Sequence, residues 1–187
     1  MSGFAVRIEH GERKGVKISD GFFDKGSRIT TSANRCVLFN VLRNKFYIDF
    51  HGLEVADFCC GSGVVGFEML SLGAKRCFFV DCDRKKIREI NGAIQKTGFN
   101  AEAEYAYLPL EPTYRQFDVI FFDPPYENDF YQQTIDMIFD NNLLLDEGMV
   151  IVETRHNIES GDEKKYDIVA EKKLKNGAKF IFLQAKN

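Results

Sequence analysis

The stretch Asp57-Phe58-Cys59-Cys60-Gly61-Ser62-Gly63-Val64-Val65-Gly66 decides the fold. A short apolar strand, 54–58, runs into a glycine turn and then into an amphipathic helical pattern over 64–72. Strand, glycine-rich turn and helix in that order open a βαβ unit. The glycines permit the tight turn and let backbone approach a ligand closely. Outward from this unit the same alternation continues. It predicts strands at 76–80, 102–107, 118–122 and 149–153, and helices at 84–97 and 129–142. Short, nearly continuous apolar strands between amphipathic helices imply a mostly parallel sheet covered on both faces.

The two ends of the chain depart from that rhythm. Segments 165–172 and 178–184 flank Asn176-Gly177, a signal for a tight hairpin turn. An antiparallel hairpin closing a parallel sheet predicts an α/β, Rossmann-like architecture of the class I methyltransferase type, with seven strands. Upstream, 4–29 alternates short apolar pieces with Gly11, Gly15, Gly21 and Gly26 and reads as a small hairpin or extended arm. Thr30-Thr31-Ser32 then offers N-cap hydroxyls to a helix near 33–44.

Charge is divided along the chain. Residues 1–45 hold nine Lys/Arg against four Asp/Glu, a balance of +5, and the remainder holds 16 against 24, a balance of −8. We therefore expect two parts: a basic arm and helix over 1–45 that can follow phosphates, and a catalytic domain over 46–187. No apolar stretch is long enough to span a bilayer, and the N-terminus lacks the layout of a signal peptide. The five cysteines form no CxxC, and the three histidines stand at no metal-ligand spacing. Reduced thiols, no metal and a cytoplasmic location are the expectation, and nothing demands more than a monomer.

The glycine turn 59–63 suggests a donor site. In a nicotinamide enzyme the following helix N-terminus meets a pyrophosphate. Asp57, at the end of the first strand, would repel that group, but it can bind an ammonium. The donor that fits is S-adenosyl-L-methionine, its methionine end near Asp57, Cys59, Gly61, Ser62 and Gly63. The second strand ends Val80-Asp81-Cys82-Asp83. Asp81 is placed to accept both ribose hydroxyls, with Cys82 beside it. Asp83 reads as the cap of the helix beginning at Arg84.

The acceptor site is read from Asp123-Pro124-Pro125-Tyr126, directly after the run Val119-Ile120-Phe121-Phe122. The lone pair of an aromatic amine is delocalised into its ring, so the amine must be held in line with the methyl donor. The Asp123 carboxylate and the Pro124 carbonyl can accept the two amine hydrogens, and consecutive prolines preorganise both acceptors. Tyr126 would stack on the target base, which must be unpaired or leave its helix.

These residues resemble the RsmD family of 16S ribosomal RNA guanine-N2 methyltransferases. The stretch Phe58–Glu68 is similar to the family's F-A-G-S-G-x-L-G-x-E-A, and Ser71-Leu72-Gly73-Ala74 to its S-R-G-A. Phe79-Val80-Asp81-Cys82-Asp83-Arg84 resembles F-V-E-x-D-R. The segment from Arg28 to Asn40 resembles R-P-T-T-D-R-V-R-E-A-L-F-N, and Gly11–Gly15 stands where the family has G-x-x-[KR]-G. The resemblance implies methylation of one guanine N2 in small-subunit ribosomal RNA. By matching position it implies RNA contacts at Arg7, Arg13, Lys14, Arg28 and Arg35. Two departures stand out. Ser32-Ala33 replaces the family's Asp-Arg pair. After the third strand, Tyr105-Ala106-Tyr107-Leu108 has no acid to meet the adenine amino group.

Other readings keep part of this. The same tetrapeptide serves adenine-N6 methylation in DNA and glutamine methylation in proteins. A non-catalytic RNA-binding or ribosome-assembly module could retain the fold without the chemistry.

Overall fold

The computed structural model describes residues 6–19, 30–110, 115–125 and 130–186. Tyr126 and Arg28 lie outside the described residues. The elements are β1 (Val6–Arg7), β2 (Lys17–Ser19), α1 (Ser32–Asn44), β3 (Glu54–Phe58), α2 (Val64–Ser71), β4 (Arg76–Asp81), α3 (Arg84–Thr97), β5 (Ala101–Tyr105), β6 (Phe117–Phe122), α4 (Phe130–Asp140), β7 (Leu144–Thr154), β8 (Tyr166–Lys173) and β9 (Lys179–Ala185). Seven strands form one sheet in the order β5-β4-β3-β6-β7-β9-β8. The first five in that order are parallel, and β9 runs antiparallel between β7 and β8.

Alternating side chains divide the core in two. Val55, Phe79, Phe121, Ile151 and Phe180 pack beneath α1, α2 and α3. Ala56, Phe78, Ile120, Phe122 and Val152 face the other way, under α4. Both sheet faces are therefore covered, which is why β3, β4 and β6 read as continuous apolar runs.

Strand β3 and helix α3 match their expected bounds. Strand β5 stops two residues short of expectation, at Tyr105. Strand β7 starts five residues early, at Leu144. The intervening Asp146-Glu147-Gly148 looks like a turn in sequence. Here it is an irregularity within one strand: Glu147 has φ +63° and the β6–β7 register shifts between Phe117 and Val119. The β8–β9 turn falls at Asn176-Gly177. Gly177 (φ +81°) donates to the Leu174 carbonyl, and Leu174 donates across to Ala178, which makes a three-residue loop.

Strands β1 and β2 form the small antiparallel hairpin, and Val6, Ile8 and Ile18 join the same core as α1 and α2. The hairpin loop is stitched to the end of α2. Glu12 donates to the Ser71 carbonyl (2.8 Å), and Ser71 Oγ donates to the His10 carbonyl (2.6 Å). A Cβ on Gly11 would stand 1.9 Å from the Ser71 carbonyl oxygen, so only glycine fits there. The three hydroxyls at the start of α1 take separate roles. Thr31 caps the helix through Asn34 N–H, Ser32 donates to Glu9, and Thr30 donates to Glu153 on β7.

Candidate active site

The carboxyl ends of β3, β4, β6 and β7 carry Asp57, Asp81, Asp123 and Glu153. In an open parallel sheet this is where ligands bind, at the point where strand order reverses. Here the order reverses between β3 and β6.

Asp57 is 2% exposed, and its carboxylate accepts the Gly66 N–H at 2.9 Å. Burial lifts its pKa well above the ordinary value. The Gly66 bond opposes the rise, and nearby Asp81 adds to it. A ligand ammonium would repay that desolvation. Gly66 itself allows the close packing of α2 on the sheet, since a Cβ there would lie 2.3 Å from the Phe79 ring.

Asp81 Oδ2 accepts the Gly61 N–H (2.8 Å) and Oδ1 accepts the Asp83 N–H (2.9 Å). Each carboxylate oxygen has a second lone pair, so two ribose hydroxyls can still be accepted. Asp83 caps α3 through Lys85 N–H, as expected. The turn between β3 and α2 is held open in left-handed geometry at Cys59 (φ +55°), Gly61 (φ +54°) and Gly63 (φ +70°). Gly63 serves as the N-cap of α2, with no side-chain cap, and it turns beneath the ligand cleft rather than lining it. Burial pushes the Cys59 and Cys60 thiols upward, and the neighbouring acids push the same way. Neither thiol is poised as a nucleophile.

Asp123 follows β6, its N–H reaching the Phe58 carbonyl at 3.3 Å. Pro124 is buried and Pro125 exposed. The Pro124 carbonyl already accepts the Tyr131 hydroxyl at 3.0 Å. It retains a second lone pair for an amine, and Tyr131 fixes its direction. That tyrosine was invisible as a site residue in sequence, where it reads as the apolar side of α4.

Asp57, Cys59, Gly61, Ser62, Asp81, Cys82, Asp123, Pro124 and Pro125 line a single cleft of about 490 Å³. Cys60, Asp83, Thr30, Val64, Val65, Lys86 and Phe121 complete its wall, and sequence reasoning named none of these as a ligand contact. A larger cavity of about 670 Å³ lies between α1, the loop before β3 and the end of α2. It opens at the opposite ends of the strands, away from every one of these carboxylates, so size does not make it the reaction site. Beyond β5, Tyr107 is exposed, its hydroxyl 3.3 Å from that of Tyr105, and the Arg84 guanidinium lies 4.0 Å over the Tyr105 ring.

Of the expected RNA contacts, Arg7, Arg13 and Lys14 are exposed on the hairpin. Arg35 is a correction. It is 4% exposed, with Nε donating to Glu68 (2.6 Å), Nη1 to the Thr30 carbonyl (2.6 Å) and Nη2 lying 3.0 Å from Glu9. It locks α1 to α2 and does not face an RNA. Sequence reports its charge but not its burial. The fully buried Glu68 is also bonded to His10 Nδ1.

Sheet order, C-terminal hairpin and acid-lined cleft together define a class I methyltransferase. A solved Escherichia coli chain, yhhF, has the same fold: TM-score 0.79, 24% identity, 98% of this chain and 99% of that one covered. The family model described as "Conserved hypothetical protein 95" matches residues 6–184. Ribosomal RNA small subunit methyltransferase D of Haemophilus influenzae is 31% identical over 160 residues, 80% of this chain and 78% of the relative. Its Escherichia coli (strain K12) namesake is 31% identical over 164 residues, 83% and 77%. The chain belongs to this family, the RsmD family.

Proposed function

We propose that the protein transfers a methyl group from S-adenosyl-L-methionine to the exocyclic N2 of a guanine in small-subunit ribosomal RNA. The observation that carries this reading is the placement of Asp123 and the Pro124 carbonyl in one cleft with Asp57 and Asp81, in a chain of this family. The cleft residues fit the donor. Asp81 keeps lone pairs for a ribose, Asp57 favours an ammonium, and the start of α2, where the N-cap Gly63 has no side chain, favours a carboxylate. The bound donor supplies an electrophilic methyl on a sulfonium.

The chain's own work is positioning. Asp123 and Pro124 accept the amine hydrogens, orient the nitrogen and raise its electron density as the bond to the methyl carbon forms. After transfer the nitrogen sheds one proton, and Asp123 stands beside it to receive that proton. Tyr126 is the proposed stacking partner of the base. We assign RNA engagement to the basic part, 1–45, through Arg7, Arg13, Lys14 and Arg28. The hairpin loop stands about one α2 length, roughly 12 Å, from the Gly61–Gly63 turn, within reach of the same RNA strand. A monomer in the cytoplasm suits this reading. Among the described residues no helix is long and apolar enough to cross a membrane.

Unmethylated small-subunit RNA, or subunits prepared without the mark, should accept labelled methyl, and mass analysis of the digest should find it on guanine N2. Asp123→Ala should lower transfer about a hundredfold to a thousandfold, on the scale of a lost transition-state contact, while S-adenosylhomocysteine still binds. Full activity in that variant rules out the clamp. The altered loop after β5 favours a second reading, a module that keeps the fold without the chemistry. Absence of S-adenosylhomocysteine binding in calorimetry would select it.

A further inference from the structure

The acceptor side of the cleft carries a polar pair that the chemistry above does not use. Phe121 pairs with Ile151 and Phe122 with Val152, so Glu153 on β7 stands beside Asp123 at the end of β6. Neighbouring strands lie about 4.8 Å apart. Phe121 and Ile151 both point into the core beneath α1 and α2. By alternation, Asp123 and Glu153 leave the sheet on that same face. Glu153 is 4% exposed and accepts the Thr30 hydroxyl at 3.2 Å. Thr30 in turn forms part of the cleft wall with Asp123 and Pro124.

A carboxylate has only lone pairs to offer. The single hydroxyl hydrogen of Thr30 therefore points at Glu153, and the lone pairs of Thr30 Oγ1 are left for the cleft. The Thr30 backbone is fixed too, since its carbonyl accepts Arg35 Nη1. Strand order gives the pair its place. Asp81 and Asp57 end β4 and β3, Asp123 follows on β6, and Glu153 on β7 comes next. Thr30 and Glu153 are thus on the far side of Asp123 from the donor residues, where the accepting base must lie.

Resting on the guanine-N2 reading, we propose that Thr30 Oγ1, held as an acceptor by Glu153, receives the N1–H of the target guanine. Guanine presents N1–H and N2–H side by side, two donors facing two neighbouring acceptors, Thr30 and Asp123. Adenine presents a lone pair at N1. It would meet the lone pairs of Thr30, and a site built to receive a hydrogen is left unpaired. Thr30 is the specificity contact and Glu153 its positioning residue.

The test uses a small-subunit RNA fragment spanning the guanine that the wild type methylates, made either with guanine or with 2-aminopurine at that position. 2-Aminopurine keeps the exocyclic 2-amine and lacks N1–H. Wild type should favour guanine at least roughly tenfold in kcat/KM, the scale of one buried hydrogen bond. Thr30→Val should bring the ratio to near one with S-adenosylhomocysteine affinity unchanged, and Thr30→Ser should restore it. Glu153→Gln, which lets the hydroxyl turn, should lower the ratio in a chain that still binds S-adenosylhomocysteine. Equal use of both bases by wild type, or an undiminished ratio in Thr30→Val and Glu153→Gln, overturns the inference and leaves the proposed function standing. A wild type that binds S-adenosylhomocysteine yet methylates no guanine in the RNA overturns both.

Discussion

Two buried acidic sites in this molecule solve the same problem in opposite ways. At the cleft, Asp57 and Asp81 are held by backbone N–H groups of Gly66, Gly61 and Asp83. Beneath the hairpin, Glu68 is held by the Arg35 guanidinium and the His10 ring. Backbone dipoles satisfy a carboxylate's geometry without cancelling its charge. A guanidinium cancels it. The first arrangement leaves negative charge for an incoming cation or hydroxyl, and the second uses it up in holding two helices together. The difference teaches that burial of an acid does not mark a binding site; the kind of partner does.

The largest expected break in that contrast is at Glu68. Glu68→Gln should cost about 2 kcal/mol, because it removes a charge-assisted bond and leaves the buried Arg35 with Glu9 as its remaining carboxylate. Joint replacement of Glu68 and Arg35 by Met should recover much of the loss. Denaturant titration of the single and double variants checks this, and an additive double variant would mean the two do not act as a pair. Asp81→Asn is expected next in size. It should weaken S-adenosylhomocysteine binding by about tenfold to a hundredfold, the worth of one or two charge-assisted bonds, with a smaller effect on unfolding than Glu68→Gln. Calorimetry decides it.

The smallest effect sharpens the contrast through pH. Burial raises the pKa of Asp57 above 3.8, with Asp81 adding to the rise. The folded chain therefore holds that proton more tightly than the unfolded chain. The stability contributed by this residue is fully present below the ordinary carboxylate pKa and is lost as pH rises through the raised value. Binding runs the other way, since a ligand ammonium prefers the charged carboxylate. Affinity for S-adenosylhomocysteine should strengthen over the same pH range. Asp57→Asn should flatten both profiles, followed by thermal melts and titrations from acid to neutral pH; unchanged slopes would remove Asp57 from the account.

The sheet was legible because its central strands are apolar on both faces and end in acids. The residues Asp57, Asp81 and Asp123 could be picked out for the same reason: each acid directly ends or follows an apolar run. Glu153 follows that rule too, but its meaning depends on Thr30, which is 123 residues away and meets it only in the folded chain. Arg35 misled because one-dimensional charge cannot distinguish a basic surface from a buried pair. Tyr131 was hidden in a helix whose apolar side it shares, although its hydroxyl leaves that side to reach Pro124. The start of β7 was missed because Asp-Glu-Gly chemistry usually ends a strand, and the register shift accommodates it here instead.

The fit of Gly11 against Ser71 has a practical side. The room between them is that of a hydrogen atom, and the two residues belong to segments of opposite net charge. Anyone transplanting the hairpin onto another enzyme would have to carry the end of α2 with it. A library that diversifies the loop should leave position 11 untouched, because a Cβ there meets the Ser71 carbonyl, and should keep the Ser71 hydroxyl that bonds the His10 carbonyl.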